Sequence, residues 1–143
     1  MNDQSLPAAP PTAHGHQLVA KTLHMHPNAL RNLHTPGSAE DELATLVVRS
    51  ALHLDNVQAE LVDRCTWGAE DLTRVAAGKA AANPLGILQT SGTLIDILAA
   101  RRADAVTHLK STLAAYQRAT ATAQPKRTVP APPPPSRTTR QTR

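Results

Sequence analysis

The chain has 143 residues with 15 basic and 11 acidic side chains, 12 prolines, one Trp, one Tyr, one Cys and no Phe. That length excludes a multidomain enzyme. A core limited to Leu, Val, Ile and Ala excludes most all-β architectures in favour of packed helices, and the lone Cys65 excludes an intramolecular disulfide.

Eleven of the twelve prolines lie before Ser38 or after Ala123. This distribution divides the chain into a flexible His- and Pro-containing segment, 1–37, a helical domain, 38–123, and a disordered Pro-rich tail, 124–143. Charge follows the same division. Residues 38–123 carry eight basic and ten acidic side chains, whereas the tail carries Lys126, Arg127, Arg137, Arg140 and Arg143 and no acid. The basic excess therefore belongs to the tail. No basic residue precedes Lys21, and no run approaches the ~18 apolar residues of a membrane span. The expectation is a cytoplasmic protein with no membrane partner. Its abundance of Ala, Thr, Arg and Pro is what a GC-rich bacterial genome tends to yield.

In chain order, only Gln17 to Leu23 has the apolar density to order itself within the first 37 residues. Five histidines recur there: His14, His16, His24, His26 and His34. Two couples at two-residue spacing would point the same way on a strand, but no Cys or carboxylate completes a ligand set. No metal and no cofactor are expected.

The first helix is predicted to open at Ser38, an N-cap with Asp41 three residues on, and Glu40, Asp41 and Glu42 oppose the positive end of the dipole. Leu43, Leu46, Val47, Ala51 and Leu54 follow at helical spacing. Asp55 with Gln58 three residues later forms a second capping pattern, which predicts a break near Leu54 and a short helix striped by Val57, Leu61 and Cys65. Cys65 on that stripe is expected to be a small buried apolar residue. Thr66-Trp67-Gly68 predicts a turn, and Ala69 to Ala76 a third helix stopped by Gly78. Asn83-Pro84 predicts the start of a fourth. The long C-terminal helix rests on Ile95, Ala99, Arg102, Val106, Leu109, Leu113 and Tyr116, widened by Leu94 and Leu98. Arg102 on that seam has to snorkel its head outward.

Val57 to Arg64, continued by Leu72 to Lys79, resembles the helix-turn-helix of the Cro and phage-repressor family, with Gln58 opening one helix and Thr73-Arg74-Val75 preceding Gly78-Lys79. The resemblance covers 57–79. It implies that Gln58 touches a phosphate, that Ala69, Glu70 and Thr73 face the groove, and that Arg74 and Lys79 hold the DNA backbone. Where the family's turn usually has Gly this chain has Thr66, and Glu70 and Asp71 open the base-reading helix. Lys126, Arg127, Arg137, Arg140 and Arg143 would add nonspecific phosphate contacts, with a log–log salt slope of about −4.5 if all five engage.

No P-loop, dinucleotide fingerprint or nucleophile elbow is present, and His53 and His108 are the only bases available to Cys65 within the domain, so a non-enzymatic protein is expected. The combined expectation is an all-α protein of four to five helices with a helix-turn-helix-like unit, acting as a DNA-binding regulator. The alternative is a helical interaction or scaffold module, in which residues 39–65 form one uninterrupted helix packed antiparallel on 84–118 and no nucleic acid is bound. In either case the 94–118 seam is available to pair with another copy or another helical protein.

Overall fold

The computed structural model describes residues 13–79, 86 and 88–123. It is all-α. The elements are α1 (His14–Leu23), α2 (Pro27–Leu30), α3 (Ala39–Ala76), a π-helical segment (Leu88–Gly92) and α4 (Thr93–Ala123), with no strand among the described residues.

α3 starts where the sequence says it should. Ser38 Oγ accepts from the Asp41 N–H at 3.2 Å, and Asp41 Oδ2 accepts from the Gly37 N–H at 3.0 Å, one residue earlier than a standard capping box would place it. α3 ends in a Schellman motif, with Lys79 N–H donating to the Arg74 carbonyl and Gly78 N–H to the Val75 carbonyl, both at 3.0 Å. Gly78 has φ +66°, a left-handed conformation that glycine adopts without a Cβ penalty.

Between these ends the helix does not break. Its 38 residues span ~57 Å, and the changes of direction predicted near Leu54 and at Thr66-Trp67-Gly68 are absent. The physical reason at the first position is tertiary. Leu54 and Val57 are buried, holding both sides of Asp55 in the core. The Asp55 carboxylate does not cap its own chain; it accepts from the Gly15 N–H at 2.5 Å and pairs with His16 Nδ1. Asp55 thus caps α1, whose local N-cap is Ala13 with no side-chain acceptor. At the second position Gly68 packs beside Ser91 and Ile95, Thr66 Oγ1 donates to the Val62 carbonyl, and Arg64 lies over the Trp67 ring at 5.1 Å.

α3 and α4 form the main packing of the molecule. Their shared core is Ala44, Val47, Val48, Ala51 and Leu54 against Ala105, Leu109, Leu113 and Tyr116. The α4 stripe is shifted from the sequence reading: Leu98, Ala105 and Thr112 are buried while Leu94 and Ala99 are exposed. Thr112 is accommodated because its hydroxyl donates to the His108 carbonyl at 2.9 Å. Asn83 and Pro84 lie outside the described residues; Leu88–Gly92 forms a single π turn leading into α4.

The segment before Ser38, read from its prolines as mostly flexible, contributes to the core. Val19 of α1 and Leu30 of α2 are fully buried, and Leu18, Leu23 and Met25 pack against the same cluster. Gly15 permits this approach: a Cβ there would lie 2.1 Å from the Ala51 carbonyl oxygen. Two of the histidines act as local fasteners. His26 Nδ1 accepts from the Asn28 N–H at the start of α2, and His34 Nε2 shares a 2.7 Å hydrogen bond with Tyr116 Oη.

Candidate functional site

α1 and α2 cover only the half of the hairpin that contains Ala44 to Asp55. Beyond Val57 the hairpin is two helices thick, and the consequence is visible in exposure. Val62, Trp67 and Leu72 of α3 and Leu94 and Ile97 of α4 are exposed, Trp67 at 55% and Ile97 at 47%. Large apolar side chains grouped in one half of a small domain mark a surface built for contact.

These side chains divide between two flanks. At 100° per residue Trp67 lies 40° from the direction of His53, four turns earlier, and Ile97 lies 20° from that of His108, three turns later. His53 and His108 line one groove along the α3–α4 seam, with Val57, Arg101, Asp104 and Ala105. Trp67 and Ile97 therefore continue that flank. Val62 and Leu72 lie on the other flank, which α1 covers nearer the start of α3 at Val48 and Ala51.

The sequence-predicted site residues are not assembled as a DNA reader. Gln58 is turned into the seam, where its Oε1 accepts from Arg102 Nε. Arg102 is thereby paired across the interface rather than snorkelled away from it. Ala69, Glu70, Thr73 and Arg74 do share a surface, with Thr66, along a shallow apolar groove of α3. That groove is one side of a straight helix, not a helix set off by a turn. Thr73 Oγ1 donates to the Ala69 carbonyl at 2.7 Å, and Arg74 pairs with Asp71 at 3.4 Å in an exposed i,i+3 contact. Lys79 is exposed beyond the end of α3. Lys126, Arg127, Arg137, Arg140 and Arg143 lie outside the described residues.

Cys65 is exposed, contrary to the buried position read from its stripe, because the hairpin at that level has no third layer. It is not among the residues lining the groove that holds His53 and His108. The five N-terminal histidines do not converge. His16 and His26 have ring centroids 6.1 Å apart, but one pairs with Asp55 and the other caps α2. Among the described residues no three His, Cys, Asp or Glu side chains come within reach of one metal ion.

Sequence reasoning missed Trp67 as a surface residue because Trp-Gly reads as a turn. The usable signal was the seven-residue spacing of Glu60, Trp67 and Arg74, which fits one continuous helix face. Among the described residues no helix is long and apolar enough to cross a membrane. No family model, no curated protein and no solved structure matches the chain.

Proposed function

We propose that this protein is a non-enzymatic helical interaction module that engages another protein surface through the bare half of its hairpin. The observation that carries this reading is the unbroken α3: a third layer covers its first half and leaves Val62, Trp67, Leu72, Leu94 and Ile97 exposed on the second. The DNA-reading alternative loses its geometric support, since the 57–79 resemblance needs two changes of direction and α3 makes neither. Four carboxylates, Glu60, Asp63, Glu70 and Asp71, also surround the supposed reading surface, which opposes a polyanion.

Photo-crosslinking tests the reading. The full chain carrying a photoreactive side chain at position 67 should form a discrete protein adduct in its host cell, and the same group at the exposed position 52 should not. Equal, diffuse labelling at both positions would count against it. So would sequence-selective DNA retention, in a mobility-shift assay across salt, by a chain ending at Ala123.

A further inference from the structure

We infer that the partner on the Trp67 flank is a second copy of this chain, docked antiparallel about a two-fold axis through Trp67 and Leu94; this rests on the interaction-module reading and identifies its partner. Gly68 lies beside Ser91 and Ile95, so Trp67 and Leu94 stand at nearly the same height on the two antiparallel helices. A dyad at that height brings each helix against its own copy, α3 on α3 and α4 on α4, and places Trp67 on Trp67 with Leu94 on Leu94. Such an interface must be complementary to itself.

The charges on α3 meet that condition. Reflection about position 67 sets Glu60 opposite Arg74 of the other copy, both within 20° of the Trp67 direction. Arg64 falls within one residue of Asp71 of the other copy, on the side nearer α4, and both side chains are partly exposed and available. Each opposite-charge pair occurs twice. The like charges Asp63 and Glu70 meet on the outer edge, where both are exposed to water.

Area sets the strength. With full side-chain areas of about 150–250 Å², the exposed fractions of Trp67, Leu94 and Ile97 leave ~300 Å² per copy. About 600 Å² of apolar surface in a symmetric pair belongs to a transient dimer, with Kd of about 10–100 µM.

Sedimentation of the full chain from 1 to 300 µM tests this. The expected result is a monomer–dimer equilibrium abolished by Trp67→Glu and by Ile97→Glu and retained by Leu52→Glu. Glu60→Arg and Arg74→Glu should each weaken the dimer about tenfold, and the double reversal should restore it. Circular dichroism checks that each variant keeps its helix content, which these exposed positions permit. A strict monomer at 300 µM, a dimer indifferent to Trp67→Glu, or a double reversal no better than either single one would overturn the inference. A strict monomer that still forms the discrete adduct at position 67 with a different protein would overturn self-association alone and leave the interaction module standing; loss of both results would overturn both.

Discussion

Replacing Asp55 by Ala separates two views of the same residue. If Asp55 were only a polar position on α3, Asp55→Ala would stabilise the helix by about 0.5 kcal/mol, because Ala has the higher propensity. The structure requires the opposite sign. The carboxylate is 13% exposed, accepts from the Gly15 N–H and holds His16, which is 29% exposed. Removing an N-cap costs about 1 kcal/mol, and removing a charge-assisted hydrogen bond costs about 1.5–3 kcal/mol. After allowance for the propensity gain and for partial screening at His16, a net loss of about 2 kcal/mol is expected. Urea unfolding followed by circular dichroism should show a midpoint lower by about 1 M, taking an m-value of about 2 kcal/mol/M. Asp55→Asn keeps an acceptor without the charge and should lose about half as much. Amide exchange should accelerate first at Gly15 and the residues after it, since α1 is the element released. A midpoint that rises or stays put in Asp55→Ala, with unchanged exchange in α1, would refute the capping assignment.

Gly15→Ala should cost at least 2–3 kcal/mol in the same assay, because the new methyl would sit 2.1 Å from the Ala51 carbonyl oxygen and force α1 off α3; a neutral result would mean that α1 does not lie there. A double-mutant cycle of Gln58→Ala and Arg102→Ala should give a coupling of about 1 kcal/mol for the bond across the seam, and additive losses would remove it. Tyr116→Phe should cost about 1 kcal/mol near neutral pH through loss of the bond to His34. Burial raises the Tyr116 phenol above its ordinary value. Its contribution is therefore complete below about pH 10 and declines above it, as the unfolded chain loses the proton first. Unfolding midpoints measured from pH 8 to 11 should show that decline in the parent chain and less of it in the Tyr116→Phe variant.

The helical class, the capped start at Ser38, the stop at Gly78 and the long C-terminal helix were legible from residue order alone. Each is set within one or two turns: a hydroxyl reaching an N–H three residues on, a glycine relieving a left-handed backbone, an apolar stripe at helical spacing. Asp55 and Gln58 were not legible, because a short polar side chain offers the same local signal whether it ends its own helix or serves another. Gly15, 40 residues away, and Arg102, 44 residues away, claim those two side chains, and burial of Leu54 and Val57 keeps the backbone between them helical. The same difference in range explains the candidate site. Residue spacing set which side chains share a face of α3, but whether Trp67 and Cys65 faced water depended on where α1 ended along the hairpin. That boundary is set by the Gly15–Ala51 approach and the Asp55 cap, contacts that exist only once the chain has folded back on itself.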